Sequence, residues 1–295
     1  MLSEQQQQTL KFFDRFAKEW GERALGRDSE VNIIKQRNDF VAKVAAARPS
    51  TRNALDVGCG TGDLCCDLSA RGIRATGVDF AADMIRLSRT RAAAASAANA
   101  EFVEGSIFEY DWAAGPFDLI SANGFIEYIS FEQLETFLTL AHDHLTTGGS
   151  LVLGSRNRLF NLFSMNQFTE VELREGTFEL LAREAVELVR GRDISGLAQI
   201  PTVPWPEVNR VYTKTGVDVA SRHQYTPAQL VRLLIEHGYA PVRIGAVHIH
   251  PAIPAFKETH RDVHVGISEF LQQFAWDDVR LVPNASTFMV EAEKR

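Results

Sequence analysis

Cysteine is scarce in this chain, and the three present, Cys59, Cys65 and Cys66, crowd one short stretch. They form no paired framework and no C-x-x-C spacing, so neither a disulfide-stapled fold nor a cysteine zinc site is expected. They read instead as small buried packing residues in a reducing compartment. Positive charge is also short: 31 Lys and Arg stand against 38 Asp and Glu, a net charge of −7. That balance speaks against a nucleic-acid surface, which needs clustered Lys and Arg to neutralise phosphates. No uninterrupted apolar run is long enough to cross a bilayer. The opening MLSEQQQQTL lacks the charged and apolar regions of a secretory signal. A cytoplasmic chain without a transmembrane segment is therefore expected. What is present is ordinary for a globular protein: 45% hydrophobic and 23% charged residues over 295 positions. That length suffices for one large domain with a sizeable cap.

The most informative stretch is LDVGCGTGDL, residues 55–64. An apolar lead-in reaches Asp56 and Val57, and Gly58, Gly60 and Gly62 then alternate before a helix start at Asp63. This reads as a buried strand, a tight turn whose backbone a ligand can approach, and a helix whose free N–H groups face that ligand. Doubly wound α/β sheets build nucleotide sites in this way. In a dinucleotide-binding G-x-G-x-x-G turn the third glycine would fall at Asp63, whose carboxylate would face a pyrophosphate unless neutralised. A cationic ligand without phosphates suits the turn better, and S-adenosylmethionine (SAM) is such a ligand. A second short strand, Ala75–Asp79, ends in an acid about 20 residues after the turn, where it can accept both ribose hydroxyls.

The acid, the G-x-G-x-G turn and Asp79 together resemble the class I SAM-dependent methyltransferases. The resemblance implies an α/β fold, a Rossmann-like seven-stranded methyltransferase sheet with an antiparallel last strand. It implies SAM as cofactor, with Asp56, Gly58, Cys59, Gly60 and Gly62 at the methionine end and Asp79 on the ribose. Phe80 and Met84 would cover the adenine. The turn Gly105-Ser106-Ile107-Phe108 would also contact the adenine, with Ser106 standing where the family usually has an acid. Ser106 still offers a hydroxyl and Ile107 a backbone N–H. Asn123 and Phe125 follow the fourth strand, at the sheet edge where ligands sit. The following FIEYI resembles a family stretch in which Tyr128 is commonly His.

Residues 1–48 read as an N-terminal helical lid. Phe12, Phe13, Phe16 and Trp20 share a face, either packed on the core or placed over a sulfonium. The segment FFDRFAKEW resembles the N-terminal helix of ubiquinone-pathway O-methyltransferases, which closes over the active site. Residues 49–156 and 225–295 make the SAM-binding domain. Residues 157–224 are too long for an ordinary connection and read as an inserted helical cap that shapes an acceptor pocket or serves structure or dimerisation. At its start, SRNRLFNLFSMNQFT resembles methyltransferases of polysaccharide or glycolipid assembly. Its amides, guanidinia and aromatics suit a sugar, and equally suit caps and turns. Beyond the cap, Thr226-Pro227-Ala228-Gln229 is a strong helix start. Two closing strands with no crossover helix between them require antiparallel pairing.

Methyl transfer to a hydroxyl needs alignment and a proton acceptor, and histidine is the usual base near neutral pH. His223 leads from the cap into the next helix and is the first candidate; His250 is the second. His248 and His250 would share a strand face, and His260 and His264 a helix face. That pattern is able to bind a metal, but ordinary polar residues are the default and no metal is assigned. The sequence therefore reads as a SAM-dependent methyltransferase acting on a small-molecule acceptor, such as a hydroxyl of a saccharide or glycolipid. The alternatives are a NAD-dependent sugar oxidoreductase and a catalytically silent SAM-binding module.

Overall fold

The computed structural model describes residues 7, 9–11, 30–191, 193–205 and 223–295. The aromatic face of Phe12, Phe13, Phe16 and Trp20 lies outside the described residues. The described strands form one seven-stranded sheet in the order β3-β2-β1-β4-β5-β7-β6. They are β1 (Asn53–Val57), β2 (Arg74–Asp79), β3 (Ala100–Glu104), β4 (Phe117–Asn123), β5 (Leu145–Arg156), β6 (Tyr239–Ile249) and β7 (Ala285–Lys294). The pairs among β1 to β5 are parallel, while β7 runs antiparallel to both of its neighbours. β6 therefore runs with β1 to β5, and its last residues lie at the same carboxyl edge as the glycine turn.

Both faces of the sheet are covered, so its central strands are apolar on both sides. On one face α1 (Ile33–Ala47), α2 (Asp63–Ala70) and α3 (Ala82–Ala94) cover Ala54, Ala75, Leu119 and Val152. On the other, Leu134, Phe137, Leu138 and Ala141 of α4 (Phe131–His144) pack over Leu55, Val57, Ile120 and Leu151. The Ser130–Gln133 capping box starts α4 as its sequence requires. Thr226 and Gln229 do the same for α8 (Pro227–Glu236), with Pro227 in the first turn. Between β5 and α8 the chain forms α5 (Asn161–Ser164), α6 (Gln167–Arg174) and α7 (Phe178–Val189). Leu181, Ala185 and Leu188 of α7 join the same apolar core as α4 and α8.

Three findings refine the sequence reading. Residues 33–47, inside the stretch expected to be a lid, form a sheet-flanking helix whose Phe40 packs on Trp276 with ring centroids 5.1 Å apart. The last strand is antiparallel, but not for want of intervening helix: α9 (Pro254–Thr259) and α10 (Arg261–Gln272) lie between β6 and β7. In addition, β6 does not alternate strictly. Ile244 and Ala246 face one core and Val247 the other, yet Ile249 returns to the first. His248, at φ +54°, supplies the switch.

Candidate cofactor and acceptor site

The turn after β1 is held against the end of β2. Gly58 and Cys59 donate their backbone N–H groups to the Val78 carbonyl at 2.8 and 3.2 Å. Gly60 N–H donates to Asp79 Oδ2 at 2.9 Å, and Ala81 N–H to Asp79 Oδ1 at 3.0 Å. Asp79 thus fixes the turn and the entry to α3 together, and each oxygen of a carboxylate can accept more than one hydrogen bond. Gly60 and Gly62 both have positive φ, +52° and +76°, for different reasons. A side chain on Gly60 would meet nothing within 4 Å, so its backbone borders open space. A Cβ on Gly62 would stand 2.6 Å from the Phe102 ring and 2.7 Å from Ser88, so that glycine is required by packing. Cys59 is buried and fills the space above Gly77, and burial first of all keeps its thiol protonated.

Asp56 is buried at the end of β1. Burial raises its pKa to about 7, and the negative charges of Asp79 and Asp63 add to the rise. The neighbouring Ser121 hydroxyl opposes it without closing a full hydrogen bond. A cation beside Asp56 would recover the ionised form. At the end of β4, both amide atoms of Asn123 are buried without a hydrogen-bond partner among the described residues. Phe125 lies beside Gly58, its Cβ 3.4 Å from where a Gly58 side chain would begin. These groups occupy the carboxyl ends of adjacent strands, which is where an open α/β sheet takes its ligand.

The adenine-side expectations are distributed differently. Met84 is buried with Ala81 under Leu10 and Leu87, so an N-terminal residue covers the start of α3. Phe80 is half-buried. The Ile107 side chain enters the core, and Ser106 Oγ accepts the Phe108 N–H at 3.3 Å.

Glu127 was not singled out in the sequence, although it is the only charge in FIEYI. Its buried Oε1 accepts the Arg156 N–H at 2.9 Å and pairs with Arg37 of α1 at 3.3 Å. Arg37 also donates to Thr287 of β7 at 3.2 Å, so α1, β5 and β7 are tied together beside Asn123. The Glu127 carbonyl accepts the backbone N–H of His223 at 2.8 Å. Burial lowers the His223 pKa to about 4, partly offset by the Ile129 carbonyl, and its Nε2 is buried without a partner among the described residues.

His250 is in another cluster. Its ring lies 4.2 Å from that of His248 and 5.0 Å from that of His264 of α10. The Phe160 ring packs against it, tilted by 33°, with centroids 4.4 Å apart. His260, expected beside His264, is exposed and bonds Thr259 instead.

The polar run after β5 is used internally. Arg158 forms a two-point ion pair with Glu172 at 2.9 Å for both bonds. Asn161 donates to Glu172 at 2.7 Å and to Gln224 at 2.9 Å. Asn157 donates to the Val282 and Ala285 carbonyls, and Asn166 caps α6. These side chains hold the cap to the sheet.

Residues 54–149 match the family described as methyltransferase domain. In its sheet order the chain has the fold of the class I SAM-dependent methyltransferases. Its sheet order, with an antiparallel β7 between β5 and β6, distinguishes it from the dinucleotide-binding order in which β6 follows β5 directly. Arg91 ion-pairs with Asp63 and offsets its charge, so the sheet order, and not this charge, sets the fold apart.

No curated protein of similar sequence is found. Among solved structures, the magnesium protoporphyrin IX methyltransferase ChlM of Synechocystis PCC 6803, with bound SAM, is 13% identical with a TM-score of 0.55. That alignment covers 100% of this chain and 99% of the other. A SAM-dependent methyltransferase of Methanosarcina mazei is 15% identical over 85% of this chain and 96% of its own, with a TM-score of 0.52. CalS10, an amino pentose methyltransferase of Micromonospora echinaspora, is 25% identical with a TM-score of 0.37. It aligns with 46% of this chain, and this chain spans only 54% of CalS10. Among the described residues, no helix is long and apolar enough to cross a membrane.

Proposed function

We propose that the chain binds SAM and transfers its methyl group to a hydroxyl of a small-molecule acceptor, with saccharides the first class to test. The observation that carries this reading is the open backbone at Gly60, set between the buried carboxylates Asp56 and Asp79 and the unpartnered Asn123 amide. Those residues fit a ligand with a cationic end and a ribose. Asp56 and the glycine turn would hold the methionine end, Asp79 the ribose hydroxyls, and Asn123 a polar group of the cofactor. Phe80, Met84, Ser106 and Ile107 would line the adenine side. When bound, SAM supplies a methyl group activated by a sulfonium.

The remaining chemistry belongs to this chain. Burial keeps His223 neutral at physiological pH, with Nε2 bearing a free lone pair. It would accept the acceptor's proton at that atom as the oxygen attacks. The residues that precede α1 would contribute a lid, and the insertion 157–224 would enclose the acceptor and exclude water. Leu10 against Met84 supports the first part.

Thermal unfolding with S-adenosylhomocysteine, with NAD and with neither tests the cofactor, since a ligand of the native state raises stability by mass action. Stabilisation by S-adenosylhomocysteine alone, reduced in Asp79→Ala, is expected. Stabilisation by NAD alone would sink the reading. Labelled methyl transfer to a saccharide panel tests the acceptor; cofactor binding without transfer to any hydroxyl compound would leave a silent binding module.

A further inference from the structure

Three histidines from separate elements converge at the carboxyl edge of the sheet, away from the glycine turn. His248 is the next-to-last residue of β6, His250 directly follows the strand, and His264 is on α10. One ring nitrogen from each lies within 4.8 Å of the other two. Among the described residues, this is the only such group of His, Cys, Asp or Glu. His248 and His264 are buried. Both ring nitrogens of His250 and Nδ1 of His264 are buried without a hydrogen-bond partner among the described residues. Buried polar atoms without partners are uncommon in native proteins and call for an explanation.

We propose that His248, His250 and His264 bind one divalent transition-metal ion of the zinc class, leaving a coordination position for water or an acceptor oxygen. Imidazole nitrogen is a preferred ligand for zinc, copper, nickel and iron. Nitrogens about 2.0–2.1 Å from a tetrahedral metal stand roughly 3.3 Å apart. His248 Nε2 and His264 Nε2 are already 3.2 Å apart. His250 has no ring hydrogen bond to break when it closes on the same point.

The second layer is also in place. Ser286 Oγ lies 3.1 Å from His248 Nδ1 and can accept a hydrogen bond from Nδ1–H, the tautomer that leaves the Nε2 lone pair for a metal. Left-handed backbone is uncommon for a residue that carries a side chain, and His248 holds it with its N–H bonded to Gln36 Oε1 at 2.9 Å. Phe160 packs against the outer face of His250. Lys257 of α9 opposes a cation here, but it is on a long, half-exposed side chain able to turn away.

The test uses the full chain without an affinity tag, stripped with a chelator and titrated with Zn2+ and with Co2+. Bound metal is counted by mass spectrometry, and the visible absorption of Co2+ reports its geometry. One metal per chain is expected, with the Co2+ spectrum of a tetrahedral or five-coordinate site. His264→Ala and His250→Gln should abolish stoichiometric binding, and Ser286→Ala should weaken it about 10–100-fold. His260→Ala, outside the cluster, should leave it unchanged. Circular dichroism identifies any variant that fails to fold, and the other variants then decide. Wild-type protein that takes up no stoichiometric metal overturns the proposal. So does binding that survives both His264→Ala and His250→Gln, or that falls equally with His260→Ala. No SAM is present in this experiment, so its failure and that of the methyl-transfer reading are separate.

Discussion

Replacing Gly60 with alanine separates the cost of the turn from the approach of the cofactor. The position has φ +52°, and a Cβ built there meets no atom within 4 Å. The folded protein therefore bears only the left-handed penalty of an L-residue, about 1–2 kcal/mol. For a domain of 150–250 residues, 1 kcal/mol moves Tm by about 2–4 °C, and for this longer chain by no more. S-adenosylhomocysteine at 100 times its Kd should stabilise wild type by about 2.7 kcal/mol, or about 5–10 °C on the same scale. Gly60→Ala should unfold a few degrees lower than wild type and lose most of that ligand shift, because the new methyl group occupies the ligand's side of the turn. Gly62→Ala is the contrast: its Cβ would collide with Phe102 and Ser88, so its loss should be in the fold. Thermal scans of the three proteins with and without S-adenosylhomocysteine decide the question. A Gly60→Ala protein that keeps the full ligand shift would refute the placement of the cofactor against this turn.

Three further outcomes are expected. In the folded chain Asp56 keeps its proton up to about pH 7, against an ordinary value of 3.8. The native state then binds the extra proton between those values, and wild type loses stability through that window, up to about 1.4 kcal/mol per pH unit. Asp56→Asn should gain on wild type as pH rises from about 4 to about 7 and hold that gain above; urea midpoints that keep a constant difference would contradict the assignment. Arg158→Met removes the cation that pairs with the buried Glu172, with a loss of about 3–5 kcal/mol in urea unfolding. If stability were unchanged and the acceptor KM rose instead, the network would belong to acceptor binding. His223→Gln should reduce methyl transfer by about 10²–10⁴-fold with S-adenosylhomocysteine binding intact. Since the wild-type imidazole is neutral above about pH 4, the transfer rate should show no histidine step near neutrality.

What the sequence revealed was mostly local. The apolar lead-in, the alternating glycines and the acid of the next strand lie within 25 residues of one another, 55–79, and their partners are mutual. The capping boxes at Ser130 and Thr226 are readable for the same reason, since each closes within four residues. The run after β5 shows the opposite. Asn157, Arg158 and Asn161 have the chemistry of a sugar site, but their partners are Glu172, Gln224, Val282 and Ala285, as far as 128 residues away. A side chain's type gives its bonding capacity, whereas the fold decides whether that capacity is spent inside the protein.

That distinction separates the two groups of histidines and ranks the candidate sites. HxH and HxxxH suggested two pairs, one per element, because period alone cannot join a strand to a helix. The left-handed backbone at His248 and the return of α10 over β6 select one member of the second pair and leave His260 exposed. The same argument sorts buried polar groups into those the fold satisfies and those it does not. Arg158, Asn161 and Glu172 are buried and fully engaged with one another. Asn123, His223 and His250 are buried, or nearly so, with side-chain nitrogens that nothing described in the protein satisfies. Burying an unpaired polar group costs free energy that folding alone would not retain. Asn123 ends β4, His223 is beside Glu127, and His250 is in the histidine cluster, and the proposed cofactor, acceptor and metal would each restore a missing hydrogen bond or coordinate bond there.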